Sequence, residues 1–157
     1  MYLLDTNHCS AIIFGDPDVI ARATEAGVDN LAISAISQGE LLYMAENSKQ
    51  VEENLVFIEE FLEDLPVYDV DSETSRIYAK LKAQIMNKFA PKDKNKRRKT
   101  KVTDLGVGEN DLWIASIAIQ NNLTIVSADG DFKRIREVWN FALESWYKSV
   151  SNANVEA

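Results

Sequence analysis

The chain has 157 residues, of which 46% are hydrophobic and 27% charged, and its formal net charge is −8 at pH 7. This length and composition predict one soluble domain with a hydrophobic core. No apolar run approaches the roughly 18 residues of a membrane span, and a charge at position 5 comes too early for a signal peptide, so we expect a cytoplasmic protein without membrane contact. Cys9 is the only cysteine, which excludes a disulfide framework.

The N-terminal half alternates short apolar runs with segments of helical periodicity. The strands predicted in this half cover residues 1–4, 31–34 and 66–70. Gly15-Asp16-Pro17 separates the first two helices, because Asp16 suits an N-cap and Pro17 suits the first helical position. The helices predicted in this half cover residues 7–14, 17–26, 36–46 and 51–65.

The C-terminal half continues this alternation and contains a basic segment. A helix is predicted over 72–89. The basic segment, residues 88–101, overlaps its last two residues and holds eight basic residues and one acid, Asp93. An apolar helix over 110–121 and a continuous apolar strand over 123–127 follow. The remaining predictions are a short helix over 131–136, a last strand over 138–141 and a polar tail over 148–157 that frays.

The order of these elements predicts the fold class. Strands that alternate with helices are typical of an α/β protein, here a three-layer sandwich with a mostly parallel central sheet. We expect residues 1–147 to form a single domain, with the basic segment 88–101 as an insertion. That segment carries a net charge of +7, which leaves −15 on the rest of the chain. The distribution favours a polyanion as partner of the insertion and basic partners elsewhere.

Four separated acids stand at the ends or starts of apolar segments: Asp5, Glu40, Asp111 and Asp129. Ligands of open α/β sheets bind beyond the carboxyl ends of the strands, and all four acids can face that edge. Two carboxylates about 5 Å apart repel by roughly 3 kcal/mol at an effective dielectric constant near 20. A divalent cation held by oxygen ligands removes this repulsion, so the acids are candidate metal ligands.

Each acid also has a structural explanation when it is considered alone. Asp5 can cap the helix that follows it, and Glu40 can complete a capping box with Ser37. Asp111 can favour a helix N-terminus through the helix dipole, and Asp129 can be a turn residue. The joint occurrence of all four at these positions favours the metal site over four independent structural roles.

The motifs around these acids resemble a known family. They are Asp5-Thr6-Asn7 after the first strand, Glu40-Leu41 on a helix, Asn110-Asp111-Leu112-Trp113-Ile114-Ala115, and Ser127-Ala128-Asp129-Gly130-Asp131-Phe132. In this order and spacing they resemble the PIN-domain ribonucleases, and most closely the VapC-type toxins of bacterial toxin–antitoxin pairs. The resemblance covers residues 1–141, and the basic segment departs from it.

The resemblance implies roles for individual residues. Asp5, Glu40 and Asp111 match the family's ligands for Mg²⁺ or Mn²⁺, and the fourth acid matches Asp129 or Asp131. We favour Asp129 because it is nearer the strand end, whereas Asp131 can instead cap the helix that starts at Phe132. The small polar residues that match positions lining the site are Thr6, Asn7 and Ser127.

The implied reaction is metal-assisted hydrolysis of an RNA phosphodiester, without a protein nucleophile. The resemblance also implies a cognate antitoxin protein and a homodimer. The family motif has no place for the neighbouring His8, which we interpret as a packing or surface residue.

The basic segment permits two interpretations that can coexist. Its charge density favours a solvated, mobile loop. The same charge suits a clamp on the RNA backbone, with a contribution that depends on salt and not on sequence. The predicted RNA-binding residues are Lys94, Lys96, Arg97, Arg98, Lys99 and Lys101.

Other functions fit the sequence less well. A phosphoacceptor receiver domain needs an acidic pair after the first strand and a lysine after a late strand, and both are missing here. A non-catalytic nucleic-acid-binding module and a structure-specific DNA nuclease of related fold remain as alternatives. The four retained acids argue against the former, and the short chain argues against the latter.

Overall fold

A computed structural model describes residues 1–148 of the chain, so the predicted tail lies outside the described residues except for Lys148. The strands are β1 Tyr2–Leu4, β2 Leu31–Ser34, β3 Val67–Tyr68, β4 Thr124–Val126 and β5 Leu143–Glu144. The α-helices are α1 Thr6–Phe14, α2 Pro17–Ala26, α3 Ala35–Glu46, α4 Val51–Glu63, α5 Ser72–Phe89, α6 Lys94–Lys99, α7 Glu109–Asn121 and α8 Gly130–Arg136. Short 3₁₀ helices lie at Val28–Asn30 and Val102–Leu105.

The strands form one sheet in the order β3-β2-β1-β4-β5, and every neighbouring pair is parallel. The central strand, β1, pairs through Leu3 with Ala32 of β2 and with Ile125 of β4. The three central strands, β1, β2 and β4, are largely apolar and buried, as expected where helices cover both faces of a sheet.

The core has two halves, one on each face of the sheet. Alternate residues of β1 contribute to opposite halves: Leu3 packs with α5, α7 and α8, and Leu4 packs with α1 to α4. Leu81 of α5 and Leu112 of α7 are fully buried in the first half, and Leu41 of α3 is fully buried in the second. The predicted three-layer α/β sandwich with a parallel sheet is therefore confirmed.

The last strand was predicted in the wrong place. It was expected over 138–141 and instead covers Leu143–Glu144. The backbone N–H groups of Val138 and Trp139 donate to the carbonyl of Ile135, which extends the end of α8 as turns. The apolar side chains that suggested a strand pack onto the first half of the core without joining the sheet.

The basic segment is more ordered than the loop interpretation predicted. Residues 94–99 form α6, because Asp93 accepts a hydrogen bond from the backbone N–H of Lys96 at 2.9 Å and so caps the helix. Arg97 donates to the Asn87 side chain of α5, and Val102, just beyond the helix, is buried. The interpretation of residues 94–99 as an irregular loop is therefore wrong, because they are helical.

Among residues 1–148, no helix has the length and hydropathy that crossing a bilayer requires. The assignment of residues 1–147 to a single domain with an insertion stays a prediction.

Candidate active site

Asp5 lies where the central strand ends and α1 begins. Its backbone N–H donates to the carbonyl of Val126 at 3.0 Å, which ties it to the end of β4. Its side chain caps α1, because Oδ1 accepts from the backbone N–H of His8 at 2.8 Å. Within residues 1–148, the other carboxylate oxygen, Oδ2, accepts no hydrogen bond. The capping role is therefore real, and it leaves one oxygen of Asp5 available to a ligand.

His8 makes a contact with Asp5 that the sequence interpretation missed. The ring is fully buried, and its Nδ1 lies 2.8 Å from Asp5 Oδ1. Its Nε2 accepts from the backbone N–H of Trp146 at 3.1 Å. A backbone N–H can only donate, so Nε2 is the unprotonated nitrogen and Nδ1–H donates to Asp5. A sequence signal existed, since Asp5 and His8 are three residues apart at a helix start and share one face.

Glu40 does not form the capping box that its sequence permits. Ser34 caps α3 instead, accepting from the backbone N–H of Ser37 at 3.0 Å. Burial raises the pKa of the Glu40 carboxyl, the nearby Thr6 hydroxyl opposes the rise, and the charge of Asp5 adds to it. The side chain of Asn110 also favours the Glu40 anion. Glu40 is thus close enough to Asp5 and Thr6 to respond to them, and it lines a cavity with Asn110 of α7.

Asp111, Asp129 and Asp131 form a tight acidic cluster. One carboxylate oxygen from each lies within 4.8 Å of the other two. The pKa of Asp111 is raised to about 8, first by burial, then by repulsion from Asp129, by hydrogen bonding with Asp131, and by the charges of Asp131 and Glu40. The dipole of α7 favours a carboxylate in its first turn, but burial and repulsion outweigh it here.

The two candidates for the fourth acid have different local roles. Asp129 caps α8, accepting from the backbone N–H of Asp131 at 3.0 Å, so the predicted alternative in which Asp131 is the cap is wrong. Asp131 accepts from the backbone N–H of Gly108 at 2.8 Å. A Cβ at Gly108 would lie 3.3 Å from Oδ2 of both Asp111 and Asp131, so glycine lets the backbone approach the cluster.

The predicted small polar residues lie in different environments. Ser127 Oγ accepts from the backbone N–H of Asp129 at 3.0 Å and so supports the cluster. Thr6 Oγ1 is buried and makes no hydrogen bond of acceptable geometry with any described residue. Asn7 is exposed, lines a separate cavity with Ser10, Phe14 and Asp16, and accepts a hydrogen bond at its carbonyl from the Tyr147 hydroxyl.

The fold brings all five acids to the carboxyl edge of the sheet. Asp111, Asp129 and Asp131 are close enough to share one metal ion, while Asp5 and Glu40 lie outside that group. The charge of Glu40 acts on Asp111, and the charge of Asp5 acts in turn on Glu40. The predicted RNA-binding cations lie on α6 and, for Lys101, beside the 3₁₀ helix that leads toward Gly108. Within residues 1–148, no ion pair joins these cations to the cluster.

The donors of this site fit a hard divalent cation. They are carboxylate oxygens, which Mg²⁺ and Mn²⁺ prefer over nitrogen or sulfur ligands. Burial, followed by repulsion from the neighbouring carboxylates, raises the pKa of Asp111, and a bound cation would offset that repulsion. The Thr6 hydroxyl is a second sign that the site can take a ligand. It is buried near the Glu40 carboxyl without a hydrogen bond of acceptable geometry among the described residues, and buried polar atoms are normally hydrogen-bonded.

Comparison with known proteins assigns the chain to a family. A family model described as the PIN domain matches residues 2–138. The chain therefore belongs to the PIN-domain family. Within it, the chain is similar to VapC ribonucleases, so the resemblance inferred from the sequence motifs is confirmed.

Two curated relatives match nearly the whole chain. Ribonuclease VapC2 of Rickettsia felis is 32% identical, over 94% of this chain and 99% of the relative. The tRNA(fMet)-specific endonuclease VapC of Salmonella typhimurium is 27% identical, over 92% and 97%.

Two solved structures agree with these sequence matches. VapBC2 of Rickettsia felis, bound to a DNA fragment from its promoter, has a TM-score of 0.72 at 31% identity, covering 93% of this chain and 98% of that one. DNA-bound VapBC of Salmonella typhimurium has a TM-score of 0.74 at 27% identity, with 93% and 98% covered.

Proposed function

We propose that this chain is a metal-dependent endoribonuclease and the toxin of a toxin–antitoxin pair. The observation that carries the proposal is the cluster of Asp111, Asp129 and Asp131 at the carboxyl edge of the sheet, with Glu40 and Asp5 beside it. The ribonuclease names of the relatives support RNA as substrate.

The five acids would hold Mg²⁺ or Mn²⁺, and Thr6, Asn7 and Ser127 would line the site. A bound divalent ion would activate water and offset the charge of the phosphodiester. Asp129 and Asp5 stand at helix N-termini, so capping already restrains their carboxylates. Preformed ligands of this kind lower the ordering cost of binding.

A covalent mechanism through the neighbouring cysteine is disfavoured. Cys9 lies in α1 and is fully buried. Burial raises the pKa of the Cys9 thiol well above its ordinary value, and the charge of Asp5 raises it further. A thiol that stays protonated is a poor nucleophile, so the proposed reaction is direct attack by water.

The proposed partners are RNA, a cognate antitoxin and a second copy of the chain, in the cytoplasm. The VapBC complexes of the relatives support the antitoxin. Large apolar side chains are exposed on α3 and α4, including Tyr43, Val56 and Phe57, and such side chains favour protein contacts when they are contiguous. Cations of the basic segment are proposed to contact the RNA backbone.

Cleavage of total RNA and of a tRNA panel that includes tRNA(fMet) tests the proposal, with Mg²⁺, Mn²⁺ or EDTA. Asp5→Asn, Glu40→Gln and Asp111→Asn should each reduce cleavage by orders of magnitude, because each removes a charged ligand while it preserves the shape of the side chain. Glu59→Gln, on the exposed surface of α4, is the matched control. Cleavage that persists in EDTA, or in Asp111→Asn, would contradict the proposed metal site.

A further inference from the structure

We infer that His8 is a positioning residue for the proposed reaction: its Nδ1–H holds Asp5 Oδ1 and thereby keeps Oδ2 as the oxygen available to a divalent ion. The inference rests on the proposed function, because Asp5 is a ligand only if the reaction uses a metal. The ring itself need not touch RNA or metal.

The hydrogen bonds to Asp5 exceed what helix capping requires. Oδ1 accepts from both the backbone N–H and the ring Nδ1 of His8, each at 2.8 Å. The N-cap side chains of Asp16 and Asp93 accept from backbone N–H groups alone, whereas that of Asp71 also accepts from the Thr74 and Gln120 side chains, so capping itself requires only the backbone donors. The second donor at Asp5 therefore adds nothing that α1 needs to begin. It does restrict rotation of the carboxylate, which is how outer hydrogen bonds orient metal ligands.

The ring of His8 is itself fixed by the C-terminal segment. The backbone N–H of Trp146 donates to Nε2, and the Trp146 and Tyr147 rings pack against the imidazole with centroid distances of 6.4 and 4.5 Å. The Tyr147 hydroxyl donates to the carbonyl of Asn7 at 3.0 Å. Both ring nitrogens are thus hydrogen-bonded. Because Nε2 must accept from Trp146, the segment after β5 keeps the ring proton on Nδ1, where it donates to Asp5.

A simpler interpretation is that His8 is a buried histidine with satisfied hydrogen bonds and no effect on the site. Two substitutions separate these interpretations. In His8→Asn the side-chain amide takes the place of Nδ1–H, so the donor to Asp5 is kept and the acceptor for Trp146 is lost. In His8→Gln the longer side chain reaches toward Trp146, and the donor to Asp5 is lost.

The measurements are melting temperature, Mn²⁺ affinity by calorimetry, and kcat and KM for RNA cleavage. Both variants should lower the melting temperature to a similar extent, because each loses one buried hydrogen bond. Mn²⁺ affinity and kcat should fall by roughly 10- to 100-fold in His8→Gln, and by much less in His8→Asn. KM for RNA should change little. In an Asp5→Asn background, His8→Gln should have no further effect on Mn²⁺ affinity.

Equal Mn²⁺ affinity and kcat in the two variants would show that His8 only packs, and would overturn the inference while leaving the nuclease intact. Loss of cleavage by the wild type itself would instead overturn the proposed function. A measurement that needs neither His8 variant keeps the inference testable if those variants do not fold. Mg²⁺ should shift the Nδ1–H resonance of His8 in the wild type and not in Asp5→Asn, and an unshifted resonance in the wild type would also overturn the inference.

Discussion

Asp111 carries an electrostatic cost in the metal-free protein that a bound cation would relieve. Its carboxyl is half-buried, and burial together with the neighbouring Asp129, Asp131 and Glu40 raises its pKa to about 8. Between its ordinary value of 3.8 and about 8, the folded protein therefore binds more protons than the unfolded chain. The free energy of unfolding should fall as pH rises through this window.

Asp111→Asn should consequently have opposite effects on the melting temperature in the absence and in the presence of metal. In EDTA its melting temperature should exceed that of the wild type by a margin that grows from pH 5 to pH 8, because asparagine does not titrate. With Mg²⁺ at pH 8 the wild type should gain stability by mass action and the variant should gain little. Thermal melts over this pH range check both effects, and parallel pH curves for the two proteins would contradict the prediction.

Single substitutions also test which residue, Asp129 or Asp131, is the fourth acid of the proposed metal site. We expect Asp129→Asn to reduce cleavage more than Asp131→Asn. Asparagine can still accept the hydrogen bonds that Asp129 and Asp131 make to backbone N–H groups, so each change removes charge and keeps the local fold. Cleavage rates and Mn²⁺ affinities of the two variants provide the measurement. A larger loss in Asp131→Asn would assign the role to Asp131.

At the scale of elements, the helix starts place the acids. Asp5 and Asp129 are the N-caps of the helices that follow β1 and β4, which are neighbours in the sheet. Asp111 lies in the first turn of α7. The positive ends of three helices therefore surround carboxylates that would otherwise repel one another, and each helix end offsets part of that repulsion.

The basic helix α6 permits a test that keeps the local fold. Lys94, Lys96, Arg98 and Lys99 are exposed, whereas Arg97 is bound to Asn87 and is left unchanged. Replacement of these four cations by glutamine preserves helix propensity. If each contacts one phosphate of a single strand, the slope of log K against log salt should flatten by roughly 0.7 per residue, whatever the RNA sequence.

RNA binding by the basic-helix variant is measured over a salt series, with catalytically inactive protein. The control variant carries Lys49→Gln and Lys80→Gln, which remove exposed cations from other parts of the surface and should change the slope less per residue. Mn²⁺ affinity should be the same in all three proteins. A slope equal to that of the wild type would show that α6 does not bind RNA.

At the scale of the whole molecule, the charge is divided between a basic segment of +7 and a remainder of −15. The acidic edge of the sheet favours an antitoxin that presents basic groups, because complementary charge accelerates association and selects partners. A cell that produces such a nuclease also needs a means to inhibit it. Charge and proposed activity therefore both favour an inhibitory protein partner.

Expression of this chain alone should slow bacterial growth, and co-expression of a small protein encoded beside its gene should restore growth. Asp111→Asn, expressed to the same level, should be harmless, because its proposed activity is lost. Growth curves and RNA integrity in the three strains are the measurements. Harmless expression of an active enzyme would argue against the toxin and leave the nuclease untouched.

Sequence patterns by themselves determined the α/β class, because short apolar runs and helical periodicity depend on neighbours along the chain. The same local patterns, with the spacing of the family motifs, singled out Asp5, Glu40 and Asp111. Local pattern failed at the end of α8, where a short apolar run cannot distinguish a strand from turns that continue a helix. The apolar residues near Val138 suggested a strand, but their backbone hydrogen bonds closed onto α8.

Only the tertiary structure decided the details of the site. It assigned the capping of α8 to Asp129, and it placed Gly108 against Asp131 across 23 residues of sequence. It also joined His8 to Trp146 across 138 residues. No local pattern carries such contacts, because they arise when parallel strands bring distant segments to one edge of the sheet. The acids could thus be named from the sequence, while the hydrogen bonds that orient them depend on the folded chain.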